Sequence, residues 1–288
     1  MSTDVPIVIE AANLSTAWGR AFLHVMSRSP RQLAPLIVSI SEFNEGTPVE
    51  TTRIREELDH TLKSHGKFAC DVTAFTIFPH RLWAMNKFTD RDSFYKAYMT
   101  QVLPRLKARD SRNSHGTYFE RMIAYQGSKK EGNGYVPKPK NQLEHIIQVW
   151  MRDRSKNRRT RRSALQIACW DPIKDLTGSA LAGFPCLQQV SFSYDDEDGL
   201  AVNAYYPTQY IFDRAYGNYL GLCHLGKFMA HEMGLKLRRL TCYVGQPEIG
   251  SDITKHGLRN LAAVVKDCTL EPLPEVAAQS DVVRGQIS

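Results

Sequence analysis

The sequence predicts a single α+β domain. Segments with apolar residues at helical spacing occur among segments in which apolar and polar residues alternate, and no repeat divides the chain. The 288 residues are enough to bury a sizeable core, and 42% of them are hydrophobic and 23% charged, as in ordinary globular proteins. We expect one domain over residues 1–270 and a flexible tail over residues 271–288.

Helices are expected where apolar side chains recur three or four positions apart behind a capping residue or before a glycine. Residues 13–27 show this pattern with Trp18 and Phe22, and residues 213–234 are the most apolar segment and end at Gly234. The predicted helices, in chain order, cover residues 13–27, 51–64, a segment that opens at Thr89, and residues 142–151, 213–234 and 251–266.

Strands are expected where β-branched and aromatic residues cluster or where apolar and polar residues alternate. An acidic DDEDG turn joins two such segments into a hairpin. The predicted strands, in chain order, cover residues 36–40, 71–78, 165–169, 190–194, 200–206 and 240–244. Residues 127–141 are dense in Gly, Pro and Lys and predict a mobile loop within the domain.

The positive charge of the chain is local. Residues 152–162, RDRSKNRRTRR, hold seven basic residues and one acidic residue, so they carry +6 of the net charge of +7. Such a segment could bind a phosphate, follow a nucleic-acid backbone or form a solvated loop. We refer below to Arg158, Arg159, Arg161 and Arg162 as the arginine cluster.

The composition also bears on compartment and cofactors. No apolar run approaches the roughly 20 residues that cross a bilayer, and the N-terminus has no basic region followed by an apolar segment. The six cysteines are widely scattered without a C-x-x-C pair, which favours reduced thiols over disulfides or a zinc site. We expect a cytoplasmic protein without a membrane span and without a metal.

Five segments between about residues 116 and 250 follow one another in an informative order. They are GTYFERMIAY, RRTRRSALQIACWDP, GFPCLQQVSF, AYYPTQYIFDRAYGNYLGL and LTCYVGQPEIG. This order resembles the thymidylate synthase superfamily, and AYGNYLGL is similar to its divergent, archaeal-type branch and to pyrimidine nucleotide hydroxymethylases. The resemblance implies a large mixed, twisted β-sheet covered by helices on one face, with a homodimer formed through the other face.

The resemblance also implies a catalytic set. Cys186 of the Pro-Cys pair falls on the family's nucleophile, whose thiolate adds to C6 of a pyrimidine. Tyr118 falls on the tyrosine that helps to remove the C5 proton, and His80 falls where a glutamate acts as general acid and base. Each has a structural alternative, because a buried cysteine packs as a small hydrophobe, tyrosines pack in cores, and a histidine after Pro79 suits a strand end.

The implied substrate-binding residues lie on both sides of the hairpin. Asn218 falls on the asparagine that reads the pyrimidine edge, although asparagine also caps helices. Gln189 and Ser191 share one strand face, which could order substrate or be solvated. The arginine cluster resembles the paired arginines that reach the nucleotide phosphate of the neighbouring subunit, about two residues further from Trp170 than in the family.

Several departures concern the phosphate and the sugar. In an ungapped comparison the family's Arg-Ser pair falls on Pro207 and Thr208, and its aspartate falls on Tyr210. Asp213 recovers that aspartate only if three residues are deleted. The C-terminal segment that closes over the folate in typical members has no recognisable counterpart.

The leading hypothesis is transfer of a one-carbon unit, methyl or hydroxymethyl, from 5,10-methylenetetrahydrofolate to C5 of a pyrimidine nucleotide. The base, the sugar and the phosphorylation state stay open. A second hypothesis is a non-catalytic protein that keeps the fold and binds nucleotide or RNA through its basic segment. A third is an unrelated thiol enzyme in which Cys186 pairs with His224 or His231.

Overall fold

The computed structural model describes residues 5–28, 34–85, 90–132, 134–176, 178 and 185–269. These residues form ten strands and eleven α-helices. The strands are β1 (Ile7–Ala11), β2 (Leu36–Ile40), β3 (Phe43–Asn44), β4 (Thr47–Pro48), β5 (Ser128–Glu131), β6 (Gly134–Pro137), β7 (Gln166–Ala168), β8 (Gln189–Tyr194), β9 (Gly199–Tyr210) and β10 (Lys236–Glu248).

The helices are α1 (Leu14–Ser27), α2 (Thr52–Ser64), α3 (Cys70–Ile77), α4 (His80–Ala84), α5 (Arg91–Ala97), α6 (Leu103–Arg109), α7 (Tyr118–Ile123), α8 (Gln142–Ser155), α9 (Pro172–Asp175), α10 (Tyr216–Met233) and α11 (Arg259–Thr269). A π-helical turn, Tyr98–Val102, joins α5 to α6, and another, Ile211–Ala215, joins β9 to α10. Wide turns of this kind interrupt the regular helical bonding at sites where chain geometry is constrained.

Six of the strands form one mixed sheet in the order β1-β2-β10-β9-β8-β7. β1 pairs with β2 and β10 pairs with β9 in parallel, whereas the other three pairings are antiparallel. The prediction of a fold with both helices and one large mixed sheet is confirmed. β1 is an edge strand that the sequence analysis missed.

Helices α1 and α10 pack on the sheet and bury its apolar positions. Asn13 caps α1 by accepting a hydrogen bond from the Thr16 amide at 2.7 Å, and the buried Trp18 donates to the Ile211 carbonyl at 2.8 Å. On the alternate positions of the strands, Val8, Tyr205 and Tyr243 are 60%, 39% and 42% exposed. One sheet face is therefore covered by helices, and the other presents apolar side chains.

The helix α3 corrects a prediction, because residues 71–78 were expected to form a strand. α3 packs against α10 at two glycines, and a Cβ on Gly217 would lie 2.6 Å from the Cys70 carbonyl oxygen and 2.6 Å from Cβ of Thr73. A Cβ on Gly221 would lie 2.7 Å from the Ala74 carbonyl oxygen. The close helix contact outweighs the strand preference of the β-branched residues.

Two other local predictions differ from the structure, one in the type of element and one in where the helix begins. Residues 127–141 contain the hairpin β5–β6, and the Tyr125 amide donates to the Lys140 carbonyl at 2.9 Å. The predicted helix over residues 251–266 begins later, at Arg259, after the 3-10 turn His256–Leu258. Backbone pairing in an exposed hairpin leaves no apolar pattern, which is why this hairpin gave no sequence signal.

The remaining helix and strand predictions match observed elements. Thr89 lies outside the described residues, and the helix predicted from it begins at Arg91, with Asp90 accepting a hydrogen bond from the Ser93 amide at 2.7 Å. The boundary at residue 270 and the tail over residues 271–288 also lie outside the described residues. No helix in the described part of the chain has the length and apolar character needed to cross a membrane.

Candidate active site

A cavity of about 460 Å³ lies where β9 runs beyond the end of β8. It is bordered by the first residues of α7 and α10, by α3 and by the segment before β8. Among its lining residues are Thr73, Tyr118, Cys186, Gln209, Arg214 and Asn218. Three of the residues implied by the resemblance, Cys186, Tyr118 and Asn218, thus share one cavity.

Cys186 lies in an irregular segment directly before β8. The next residues anchor this segment, because the Gln188 amide donates to the Tyr205 carbonyl at 3.0 Å and the Cys169 amide donates to the Gln188 carbonyl at 2.8 Å. The residue is exposed, in contrast to the buried Cys70, Cys169, Cys223 and Cys242. Cys186 is therefore an accessible thiol at a fixed place, and not a small core hydrophobe.

The Cys186 thiol faces opposing electrostatic influences. Surrounding protein atoms raise the pKa of the thiol, whereas the positive charge of Arg214 and a hydrogen bond from Tyr118 lower it. Although part of the residue is exposed, the loss of hydration caused by the surrounding cavity walls has the largest effect, so the pKa of the thiol remains above the ordinary value of a cysteine. Arg214 and Tyr118 are thus the neighbours that favour the thiolate.

Tyr118 is positioned by the start of α7. Thr117 caps this helix by accepting a hydrogen bond from the Glu120 amide at 3.1 Å, and the Tyr98 hydroxyl lies 2.7 Å from the Thr117 hydroxyl. The Leu187 amide lies 3.4 Å from the Tyr118 hydroxyl oxygen. Burial raises the pKa of Tyr118, so the side chain stays a neutral phenol that can donate toward Cys186.

Arg214 and Arg121 both line the cavity but differ in their partners. Arg121 is buried and forms a bidentate ion pair with Asp175 at 2.7 and 2.9 Å, which holds it in place. Arg214 is half-buried, lies with its guanidinium carbon 5.9 Å from the centre of the Phe68 ring, and forms no ion pair with a described residue. Arg214 is therefore a cation that is available to a thiolate or to an anionic ligand.

The floor of the cavity is polar and buried. Asn218 is the third residue of α10 and Ala215 precedes that helix, so Asn218 is not the helix cap. Gln209 and Thr73 are 1% and 4% exposed, and the Gln209 Nε2 and Thr73 Oγ1 atoms have no partner among the described residues. These groups can bind a ligand that carries complementary donors and acceptors.

His80 does not line this cavity. It is the first residue of α4 and stacks on His224 with 4.1 Å between ring centres. Burial is the largest cause that lowers the pKa values of both histidines. The positive charges of Lys227 and Arg81 add to it at His80, and the neighbouring His80 adds to it at His224, whose pKa is lowered to about 3. His224 and His231, the partners suggested for a Cys-His pair, do not line the Cys186 cavity either.

Three other implied residues also lie apart from Cys186. Asp213 is buried, 3.1 Å from Lys67 Nζ and 3.1 Å from the Ser251 hydroxyl. Gln189 and Ser191 lie on strand positions that alternate with the buried Val190 and Phe192, and Gln189 donates to Gln166 at 2.8 Å. The structure places Gln189 and Ser191 with the uncovered face of the sheet.

The arginine cluster meets the acidic turn of the hairpin. Arg159 lies 3.0 Å from Asp196, and Arg162 donates to the Tyr194 carbonyl at 2.8 Å. Arg158 and Arg161 are exposed and form no ion pair with a described residue. None of the four arginines lines the Cys186 cavity of its own chain.

Sequence reasoning missed Gln209, Arg214 and Thr73. The alternation of buried residues along β9 changes after Pro207, so that Gln209 is buried where the pattern predicts Thr208. Thr73 was assigned to a strand, and Arg214 follows Asp213 directly in a segment whose π-helical turn could not be foreseen. No signal in the sequence linked these three residues to Cys186.

The cavity also has an apolar wall formed by Phe68, Val72 and Leu106. Such a wall suits a flat ring system beside the polar floor. Among the described residues no group of three or more histidine, cysteine or carboxylate side chains is arranged to hold a metal ion.

A scan against models of known protein families found no match, and a search of curated proteins found no significant relative. The resemblance to the thymidylate synthase superfamily therefore stays a prediction. It depends on the five sequence segments.

Proposed function

We propose that this chain transfers a one-carbon unit to C5 of a pyrimidine nucleotide through a covalent bond between Cys186 and C6 of the ring. The observation that carries the proposal is the shared cavity of Cys186, Tyr118, Arg214 and Asn218. An accessible thiol, a cation, a neutral phenol and an amide are the groups that nucleophilic addition to a pyrimidine requires.

The Cys186 thiolate starts the reaction. Its sulfur donates an electron pair to C6, a bond between sulfur and C6 forms, and the electrons of the C5–C6 double bond move toward C5 and the C4 carbonyl oxygen. Arg214 stabilises the thiolate before addition, and the neutral Tyr118 hydroxyl donates a hydrogen bond to the sulfur. C5 thereby becomes nucleophilic.

The closing step regenerates the free thiol. After C5 has accepted the new carbon, the C5 proton leaves to water, its electron pair forms a double bond from C5 to that carbon, and the bond from the carbon to the donor nitrogen breaks. Addition of hydride or water to this exocyclic methylene re-forms the C5–C6 double bond, and the electron pair of the sulfur–C6 bond returns to Cys186. Tyr118 holds its proton toward the departing sulfur, since burial raises the pKa of the phenol. His80 takes no part in these steps.

Binding of the nucleotide uses polar and cationic groups of the same cavity. Asn218 offers a donor and an acceptor to the edge of the ring. Arg109 lines the mouth, is exposed and forms no ion pair with a described residue, so Arg109 and Arg214 provide positive charge for a phosphate. The free guanidinium groups of Arg158 and Arg161 would reach the phosphate of a partner subunit.

The one-carbon donor that we propose is 5,10-methylenetetrahydrofolate. When bound it would supply the carbon at C5, which becomes methyl if hydride from the reduced folate ring is added to it and hydroxymethyl if water is added. The apolar wall of the cavity fits the flat ring of this donor, which would contact Phe68, Val72 and Leu106.

We also propose a thymidylate synthase-like homodimer that forms through the uncovered sheet face. Val8, Tyr205 and Tyr243 supply exposed apolar area there, and the two tyrosine rings are 5.7 Å apart. Sedimentation equilibrium should give twice the chain mass of 32.7 kDa, and Tyr205→Arg should shift the chain to monomer. A stable monomer before substitution contradicts this architecture.

Exchange of the C5 proton tests the chemistry without a one-carbon donor. The chain is incubated in deuterium oxide with UMP, dUMP, CMP and dCMP, and the H5 signal is followed by NMR. At least one nucleotide should lose this signal, and Cys186→Ala should abolish the loss. Absence of exchange with all four nucleotides overturns the proposal.

A nucleic-acid-binding protein gives a different result. Its affinity for oligonucleotides falls steeply with salt and does not change in Cys186→Ala. Affinity limited to mononucleotides excludes it.

A further inference from the structure

Gln209 has a buried side-chain amide whose oxygen is hydrogen-bonded and whose nitrogen has no partner among the described residues. It lies near the end of β9, is 1% exposed and lines the Cys186 cavity. Its Oε1 accepts a hydrogen bond from the Tyr219 hydroxyl at 3.1 Å, whereas its Nε2 has no partner among the described residues. An amide donor that is buried without an acceptor costs free energy, and a ligand in the cavity can offset that cost.

The hydrogen-bond network determines which end of the amide faces the cavity. Tyr219 is fully buried, and Gln209 is the one acceptor for its hydroxyl proton among the described residues. If the amide were turned over, Nε2 would donate to the tyrosine oxygen, and the hydroxyl proton would lose its acceptor. In the orientation that the structure has, the buried hydroxyl proton of Tyr219 has an acceptor in Oε1, so Nε2 is the group available to a ligand.

The neighbouring side chains make this donor part of a site. Thr73 Oγ1 is another buried group at the same cavity that has no partner among the described residues, and Asn218 and Cys186 also line this cavity. Gln209 is fixed by Tyr219 and by the strand pairing of β9 with β10, in which it lies opposite Pro247. Its donor is therefore held in place before the ligand arrives.

The geometry points to Gln209 as the residue that reads a carbonyl group of the pyrimidine ring, an inference that rests on the proposed function. Its Nε2 donates to a ring carbonyl oxygen, while Asn218 reads another part of the edge. A ring that presents an amino group at that position leaves two donors facing each other. The substrate at this position therefore carries a carbonyl oxygen.

Sulfur-substituted nucleotides test this reading. The full chain with Cys186→Ala, which cannot form the covalent adduct, is titrated calorimetrically with UMP, dUMP and their 2-thio and 4-thio analogues. Sulfur is a poor acceptor, so one thio analogue should bind roughly 5- to 100-fold more weakly than its parent. Adding Gln209→Met, which removes the donor, should reduce that ratio to about twofold or less.

Two further variants keep the result interpretable. Gln209→Met combined with Tyr219→Phe also removes the hydroxyl that would lose its acceptor, and should abolish the ratio even if the single methionine variant folds poorly. Gln148→Met makes the same change at an exposed position of α8 and should keep the full ratio. Thermal unfolding of each variant reports whether the fold is intact.

The outcomes separate this inference from the proposed function. If uracil nucleotides bind and the sulfur penalty survives in both Gln209 variants, Gln209 does not read a carbonyl, and the proposed function stands. If no uracil nucleotide binds and no C5 proton exchanges, both fail.

Discussion

The Cys186 cavity and the arginine cluster differ in how their polar groups are satisfied. In the arginine cluster, Arg159 pairs with Asp196 and both side chains are largely exposed, at 81% and 76%. In the cavity, Gln209 Nε2 and Thr73 Oγ1 are buried and have no partner in the part of the chain that the structure describes. Water satisfies exposed charges cheaply, whereas buried unpaired groups cost about 1–3 kcal/mol each. The Cys186 cavity is therefore a stronger candidate for ligand recognition than the arginine cluster, although it carries less charge.

The largest effect should come from removing the nucleophile. Cys186→Ala should lower C5 proton exchange by about 10³-fold or more, because Cys186 is the one thiol among the described residues that line the cavity. NMR of the exchange reaction measures this, and Cys268→Ala, at a half-buried thiol outside the cavity, is the matched control. Equal losses in both variants would contradict the role of Cys186.

Tightening the contact between α3 and α10 should have the next largest effect. Gly217→Ala places a Cβ 2.6 Å from the Cys70 carbonyl oxygen, a backbone atom that cannot move aside, and should destabilise the fold by about 1–3 kcal/mol. Urea unfolding measures the change. Gly134→Ala, whose nearest atom would lie 3.9 Å away, should change stability by less than about 0.5 kcal/mol. Similar results for the two variants would show that the helix contact tolerates a side chain.

Removing the positive charge of Arg214 should alter the reactivity of Cys186. Arg214→Met should raise the pKa of the thiol further, because the charge that favours the thiolate is lost, and should slow alkylation by iodoacetamide about 10-fold at pH 8. The rate should rise with pH in both proteins and reach its plateau at higher pH in the variant.

Arg214→Lys is the matched control, since it keeps the positive charge and should restore most of the rate. If the methionine variant reacts as fast as the unsubstituted chain, Arg214 does not stabilise the thiolate.

The His80–His224 pair should make stability depend on acid. The pKa of His224 is lowered to about 3 in the folded chain, so the unfolded chain binds more protons below its ordinary value of 6.5. Stability should be fully present above about pH 6.5 and fall by about 1 kcal/mol per pH unit as the pH drops toward 4.

Urea unfolding at pH 7, 6 and 5 measures this slope, and His224→Leu should reduce it. His256→Leu, at an exposed position, serves as the control and should leave the slope unchanged. An unaltered slope in His224→Leu would assign the acid sensitivity to other groups.

The smallest effect should come from the arginine cluster. Arg159→Gln should change stability by less than about 0.5 kcal/mol, because its partner Asp196 is exposed and both groups are solvated. A double-mutant cycle with Asp196→Asn measures the coupling. A coupling above about 1 kcal/mol would show that this pair is more than a surface contact.

The sequence by itself determined most of the elements and part of the site. Helical periodicity located α1, α2, α8 and α10, alternation located β8 and β9, and Asn13 and Gly234 marked helix ends that the structure shows. These signals are local, since each depends on side chains within one or two turns of the backbone. The resemblance of three segments to a known family also pointed to Tyr118, Cys186 and Asn218, and all three residues line one cavity.

Only the tertiary structure decided the rest. Residues 71–78 became helical because α3 packs against the glycines of α10, and this places Thr73 at the cavity. Gln209 lines the cavity because the burial pattern of β9 shifts after Pro207. His80 instead stacks on His224, outside the cavity. Each outcome depends on contacts between residues far apart in the chain, and such contacts leave no trace in local periodicity.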